Sequence, residues 1–208
     1  MRRILNRYGV AVGYAAGLGL AAVLLATRSD PVRAHWLDWA STNLTNATDH
    51  PVAALVVSAF LTAGDARWWL LLSLIALATV GATFGAWRTA LLVGAAHVLG
   101  TVFSEGLLGL RIAAGAVPAA QQHIQDVGPS YVVAGALAAG IAYARWPGRL
   151  ACAAGFAAVA PSLFGGLSRL EVSAVGHVSA IVVALAVGAG FVLARRRRAD
   201  PVRPVPDG

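Results

Sequence analysis

Two short stretches carry a serine and a histidine, the residue types that can act as a nucleophile and its base. Ser130 follows Gly-Pro at residues 128–129, and His177 lies in the stretch 174–180. Each stretch opens an apolar segment long enough to cross a bilayer, which needs about 20 residues. A serine hydroxyl becomes a strong nucleophile when a neighbouring histidine accepts its proton. That chemistry requires the two side chains to meet at one depth, within a hydrogen bond of each other.

The composition is that of a membrane protein. Of 208 residues, 58% are apolar and 12% are charged, whereas soluble domains carry about 25% charge. So few charges cannot cover a soluble surface, and we expect a single all-α polytopic membrane domain. The single cysteine, Cys152, excludes an intramolecular disulfide and a cysteine metal cluster.

Six apolar segments predict six transmembrane helices in a bundle. They cover residues 8–26, 68–84, 90–108, 127–144, 150–167 and 172–194. The domain is therefore predicted to be residues 8–194, between an N-terminus at 1–7 and a basic, Pro-rich tail at 195–208 that we expect to be disordered. Residues 28–50 are expected to form a polar loop. The apolar segment 52–62 is too short to span and is expected to lie half-buried.

The distribution of arginine predicts the orientation. All sixteen basic residues are arginine, and eleven of them fall in residues 1–7, 85–89, 145–149 and 195–208. The positive-inside rule then places both termini in the cytoplasm. The lack of lysine and the abundance of Ala, Gly and Val suggest a bacterial genome, so we expect the cytoplasmic membrane of a bacterium. The net charge of +7 is explained by arginines in short loops and at the chain ends, which set the membrane orientation and lie near the bilayer surface. It does not indicate nucleic-acid binding.

In this topology Ser130 and His177 lie at the same depth. Spans four and six both run from outside to inside, and each side chain lies roughly 5–10 Å below the start of its helix. Pro129 suits the first helical turn, where no N–H is needed, and the free N–H groups there could donate to an oxyanion. His97 lies near the middle of span three and is less well placed to meet Ser130. A buried serine otherwise commonly bonds its own helix backbone.

The Gly-Pro-Ser stretch and His177, in spans four and six of six, resemble the rhomboid intramembrane serine proteases. That family uses the serine of a Gly-x-Ser-Gly motif on its fourth helix and a histidine on its sixth. The resemblance extends over residues 36–190. Residues 36–62 resemble the family's membrane-embedded first loop, and residues 177–184 resemble its His-x-x-Gly-x-x-x-Gly stripe with alanine at both glycines. It implies Ser130 as nucleophile and His177 as base, without a cofactor or a metal.

Two departures from the family pattern bear on activity. Tyr131 stands where the family has the second glycine of Gly-x-Ser-Gly. The family's His and Asn on the second helix, which help hold the oxyanion, are absent, and Ser73 is among the residues found there. Gly128, Ser73, His97 and Tyr131 are therefore predicted only as oxyanion or substrate-site candidates.

Three classes of function follow from these residues. The first is a rhomboid-like protease that cleaves transmembrane segments of membrane-protein substrates near the outer face. The second is a pseudoprotease that binds transmembrane clients without cutting them, which Tyr131 favours. The third is a small transporter, for which charged residues near the midplane are expected; only His97 approaches that position. Glu105 and Arg111 are expected to pair at the outer rim.

Reporter fusions at both ends are expected to place the two termini in the cytoplasm. The reason is the excess of arginine in the segments that share a side with the termini. A phosphatase domain fused to either end should be inactive, and the same domain inserted in the loop 109–125 should be active. An active C-terminal fusion would contradict both the six-span topology and the shared depth of Ser130 and His177.

Overall fold

The fold was obtained as a computed structural model that describes residues 2–199. No β-strand occurs within that range. Its helices are α1 (Arg2–Ala26), α2 (Asp30–Trp39), α3 (Leu44–Asp49), α4 (Pro51–Ser58), α5 (Ala66–Phe84), α6 (Ala86–Ala113), α7 (Ser130–Tyr143), α8 (Trp146–Phe164) and α9 (Val172–Ala199). Short 3₁₀ turns lie at Ala119–His123 and Leu167–Arg169.

The all-α polytopic bundle is confirmed, with one short member. Helices α1, α5, α6, α8 and α9 are long and apolar enough to cross a membrane. Helix α7, the predicted fourth span, has 14 residues and measures about 21 Å, less than the ~30 Å of a hydrocarbon core. It is enclosed by protein, since every residue from Tyr131 to Gly140 is buried.

Several predicted boundaries differ from the structure. Helix α6 has 28 residues and runs on to Ala113, and α9 continues through the four arginines at 195–198 to Ala199. Arginine is a good helix former with a long side chain that reaches the interface. The fall in hydropathy therefore marks the membrane edge and not the end of the helix. The remainder of the predicted tail, residues 200–208, lies outside the described range.

Residues 28–65, which we call the short-helix segment, contain three short helices. Helices α2 and α3 lie where a polar loop was predicted for residues 28–50, and α4 lies largely in the segment 52–62 that was expected to be half-buried. Asn43 caps α3 by accepting a hydrogen bond from the N–H of Asn46 at 2.9 Å. The Asn46 amide in turn donates to the carbonyls of Asp38, Trp39 and Ser41. The polar residues of this segment thus satisfy its own backbone at the membrane edge.

Small residues allow α7 to pack closely in the middle of the bundle. A Cβ built on Gly135 would lie 3.0 Å from the Cβ of Ala96 on α6 and 3.1 Å from that of Ala184 on α9. On the other side, a Cβ added to Gly155 of α8 would lie 3.2 Å from the Cδ2 of Leu137. Close backbone approach of this kind is the usual basis of helix association in membranes.

The acidic residues of the described range are confined to one end of the bundle, which also carries Arg28, Arg33, Arg67, Arg111 and Arg169. Seven of the nine acidic residues lie within the described range. All seven belong to the half that contains the short-helix segment, the start of α7 and the start of α9, which we call the acidic end. The opposite half, the basic end, carries Arg7, Arg88, Arg145, Arg149 and the arginines of α9.

Candidate functional site

The segment before α7 is held in place by the short-helix segment. Gly128 has φ +148°, a conformation that favours glycine, and its N–H donates to the carbonyl of Ser58 at 3.1 Å. The N–H of Asp126 donates to the hydroxyl of Ser41 at 2.8 Å, and the N–H of Thr42 donates to the carbonyl of Asp126 at 2.8 Å. These hydrogen bonds provide partners for backbone N–H and C=O groups outside a helix. Such partners are needed within a bilayer because lipid cannot supply them.

Ser130 is the first residue of α7 and therefore lies below the acidic end. Because α7 is about 21 Å long and its last turn lies at the basic end, its first residue falls roughly 10 Å short of the other edge of the hydrocarbon layer. The side chain borders a narrow gap that has no room for a water molecule. The other residues lining this gap are Thr42, Ser58, His97, Asp126, Gly128 and Tyr131.

His97 closes one side of the gap. Its Nε2 lies 2.8 Å from the carbonyl of Leu55 and 3.4 Å from the hydroxyl of Ser58. A carbonyl can only accept, so Nε2 carries the proton in this geometry. Nδ1 is then an acceptor, and it is buried without a hydrogen-bond partner.

His177 has the opposite tautomer. Its Nδ1 lies 2.8 Å from the carbonyl of Leu163, so Nδ1 donates. Nε2 keeps its lone pair and is buried without a partner. The ring is thus oriented by one nitrogen and basic at the other, as a general base requires.

Tyr131 lies between the two histidines. Its ring meets that of His177 edge-on, with centroids 5.1 Å apart and an interplanar angle of 87°, and it lies 6.1 Å from that of His97. Gly100 and Gly176 form the slot that holds the phenol: a Cβ on Gly176 would overlap the phenol, and one on Gly100 would touch its ring at 3.4 Å. The hydroxyl donates to the carboxylate of Asp126 at 2.8 Å.

The structure brings Ser130 together with three of the four predicted oxyanion or substrate-site candidates. Gly128, His97 and Tyr131 line the gap at Ser130. The fourth, Ser73, does not border it, and its hydroxyl donates to the carbonyl of Leu70 at 3.0 Å.

The expected hydrogen bond between Ser130 and His177 is not formed. The Nε2 atom of His177 has no partner at all, and its Nδ1 is taken by Leu163. Successive residues of a helix point about 100° apart: the Tyr131 ring contacts His177, whereas Ser130 lines a gap that His97 borders and His177 does not. The catalytic roles of Ser130 and His177 stay predictions.

Sequence reasoning missed the part played by Asp126 and wrongly paired Glu105. Asp126 accepts from Tyr131 and also from the hydroxyl of Thr42 at 3.3 Å, across 84 positions of sequence that leave no local signal. The guanidinium of Arg111 donates to the carbonyl of Leu170 at 2.9 Å. Both carboxylate oxygens of Glu105 are buried without a hydrogen-bond partner, because the residue lies inside the bundle and not at its rim.

Asp126 lies between the site and a pocket at the acidic end. A polar pocket of about 680 Å³ lies between the end of α6, the loop before α7 and the start of α9, and Asp126 forms part of its wall. Ser130 and His177 do not border this pocket. Asp126 thus borders the pocket on one side and accepts a hydrogen bond from Tyr131, which contacts His177, on the other. Over residues 2–199 no three His, Cys, Asp or Glu side chains are grouped to hold a metal ion.

Comparison with known proteins identifies a family. The family model described as "Rhomboid-like protein" matches residues 9–199, which include α2 to α9 and most of α1. Neither the curated proteins nor the solved structures contain a match to this chain.

Asp126→Asn is expected to flatten the pH dependence of stability. Burial raises the pKa of the Asp126 carboxyl, and the hydrogen bonds from Tyr131 and Thr42 offset this only in part. The folded protein thus holds the proton more tightly than the unfolded chain. The stability from this group is complete below the ordinary Asp pKa of about 4 and is lost as pH rises through the raised value.

The measurement is thermal unfolding in detergent from about pH 4 to about pH 8, where each unit of pKa difference contributes about 1.4 kcal/mol. Tyr131→Phe removes a hydrogen bond that lowers the pKa of Asp126, so the pH-dependent loss of stability should be larger in total and extend to higher pH than in the wild type. Asp49→Asn, at an exposed carboxylate of the same end, is the matched control. Identical profiles for wild type and Asp126→Asn would exclude Asp126 as the titrating group.

Proposed function

This chain belongs to the rhomboid-like protein family, and we propose that it is an integral membrane protein that binds transmembrane segments of other membrane proteins without cutting them. The observation that carries this proposal is the position of Tyr131. Its phenol fills the slot between Gly100 and Gly176 and packs against His177. A substrate carbonyl would need that space.

Peptide hydrolysis needs a nucleophile bonded to its base, space for the substrate carbonyl, and water. The Nε2 of His177 has no hydrogen-bond partner. The gap at Ser130 cannot hold a water molecule, and the polar pocket ends at Asp126. These three observations support a non-cleaving role, and Tyr131 is common to them: it lines the gap, contacts His177 and bonds Asp126.

A groove on the side of the bundle supports client binding. It is apolar, has a volume of about 450 Å³, and lies between α1, α4 and α6. Gly13 and Gly94 line it, and neither has any atom within 4 Å of where a Cβ would lie. Open glycine faces at membrane depth admit the backbone of another helix. His97 borders both this groove and the gap at Ser130, so a docked segment would lie one side chain away from Ser130.

The second candidate function is intramembrane serine proteolysis, favoured by the tautomer of His177. With Nδ1 bonded to the Leu163 carbonyl, Nε2 is available as a base. In that scheme Ser130 attacks a peptide carbonyl of a transmembrane segment near the acidic end. His177 takes the serine proton and returns it to the leaving amine, and water then releases the acyl group. This scheme requires Tyr131 to leave its slot.

The orientation belongs to the same proposal. The basic end would face the cytoplasm of a bacterial cell, and the acidic end, with the polar pocket and Ser130 below it, would face outward. A client would then meet the site in the outer half of the membrane.

A fluorophosphonate probe is expected to label the wild-type protein no more strongly than it labels Ser130→Ala. The phenol of Tyr131 keeps Ser130 from its base, so the hydroxyl is not activated. The measurement is in-gel fluorescence of the purified protein, with His177→Ala as a second control. Wild-type labelling that depends on both Ser130 and His177 would overturn the non-cleaving proposal in favour of proteolysis. Labelling that appears only in Tyr131→Gly would assign the block to the phenol.

Photo-crosslinking from the groove is expected to capture membrane proteins. A photoreactive residue at Val98, which lines the groove, should give protein adducts at several times the yield of one at Val102. Val102 lies one turn further along α6, is 54% exposed and does not border the groove. Equal yields at the two positions, or adducts with lipid alone at Val98, would refute client binding in this groove.

A further inference from the structure

A second pocket, of about 750 Å³, lies at the basic end of the bundle, far from the site described above. It lies between the first turns of α1, the second half of α5, the turn from α7 to α8 and the last turns of α9. Its polar lining consists of Tyr8, Thr79, Thr83, Tyr143, Arg145 and Arg195. It therefore combines two guanidinium groups with hydroxyls at a membrane edge.

The positive charge of this pocket has no carboxylate to balance it within residues 2–199. All acidic residues of that range lie in the acidic half. The ion pairs within residues 2–199 also lie in the acidic half; they are Arg33–Asp30, Arg67–Asp65 and Arg169–Glu171. Two arginines that share a pocket at the edge of a low-dielectric layer repel each other, and an anion between them would relieve that repulsion.

The guanidinium of Arg195 is already fixed in place. One of its nitrogens donates to the carbonyl of Thr83 at 2.9 Å, and its central carbon lies 5.4 Å from the ring centroid of Phe84. The guanidinium has five N–H donors in a planar fork, so donors remain for a ligand. A fixed arginine fork suits the oxygens of a phosphate group, because two parallel hydrogen bonds can form at once.

The start of α8 adds a second source of positive potential. Arg145 is the N-cap residue of this 19-residue helix, and Pro147 lies in its first turn. Arg145, Pro147 and Gly148 all border the pocket. The first N–H groups of a helix have no partner within the helix and attract anions, phosphates in particular.

We propose that this pocket binds the phosphate headgroup of an anionic phospholipid. A lipid fits better than a soluble phosphate because the pocket lies at the depth of the headgroups. Trp87 and Trp146, which are 61% and 68% exposed, flank the same end, as aromatic side chains do at an interface. Ala78 and Ala82 continue the lining along α5, leaving an apolar path for the acyl chains. Basic pockets between transmembrane helices are known to hold such headgroups.

The full-length protein is placed in nanodiscs of mixed phosphatidylglycerol and phosphatidylcholine and is then extracted into a neutral detergent. The test measures the amount of phosphatidylglycerol that stays bound to the extracted protein. Mass spectrometry of the bound lipid gives its enrichment over the bulk ratio. The wild type should enrich phosphatidylglycerol, and Arg145→Gln/Arg195→Gln should lose about thirtyfold, since each arginine near an anionic headgroup contributes about fivefold.

The matched control is Arg197→Gln/Arg198→Gln, which removes the same charge from the same end outside the pocket and should keep the enrichment. Equal losses in the two double variants, or no enrichment by the wild type, would overturn the proposal in favour of diffuse attraction or none. The double variant Arg145→Lys/Arg195→Lys keeps the charge and should retain a measurable part of the enrichment. That result would show that the loss in the Gln variant is not due to misfolding. A folded Lys variant that binds phosphatidylglycerol no better than the Gln variant would also contradict a charged headgroup site.

A competition experiment separates a lipid from a free phosphate. Inorganic phosphate, added at the same concentration as the phosphatidylglycerol, should leave the bound lipid in place. Displacement of the lipid would show a soluble-phosphate site and overturn the lipid proposal. None of these outcomes depends on Tyr131 or the lateral groove, so the failure of this proposal and that of client binding are distinguishable.

Discussion

A helix of 14 residues cannot cross a bilayer, and much of the structure follows from that shortness of α7. The chain must descend about 10 Å into the membrane before the helix begins, and every N–H and C=O on the way needs a partner that lipid cannot supply. The short-helix segment supplies them: Ser41 and Thr42 hold Asp126, and the carbonyl of Ser58 holds Gly128. The same enclosure buries Tyr131, the second residue of α7, while Ser130, the first, is half-buried.

Enclosure also explains how one side chain, that of Tyr131, comes to fill the space beside His177. In a packed interior a phenol must have both a slot and a partner for its hydroxyl. The glycines at 100 and 176 provide the slot, and Asp126 provides the partner. The tyrosine is thus held in place at three points. In the proposed non-cleaving role, the packing of this phenol takes the space beside His177 that nucleophilic catalysis would need.

The sequence predicted the membrane helices well and the directions of side chains poorly. Hydropathy and the length of apolar runs determine where a residue lies along the membrane normal, and they correctly indicated an all-α bundle of membrane helices. The direction of a side chain around its helix depends on packing between helices far apart in sequence. Sequence spacing therefore could not show that Tyr131, and not Ser130, would face His177, nor that Asp126 would bond Thr42 across 84 positions. The arginines at 195–198 misled for a related reason, since charge ends an apolar run but not a helix.

The difference in charge between the two ends restricts how copies of the chain can assemble. Turning the molecule over would carry the arginines of the basic end through the bilayer centre, where each costs about 2.5–3.5 kcal/mol even on the mildest scale. Inverted and upright copies therefore do not interconvert after insertion. Copies that share one orientation cannot form an antiparallel dimer with its two-fold axis in the membrane plane. A closed, symmetric homo-oligomer of such copies has its symmetry axis along the membrane normal.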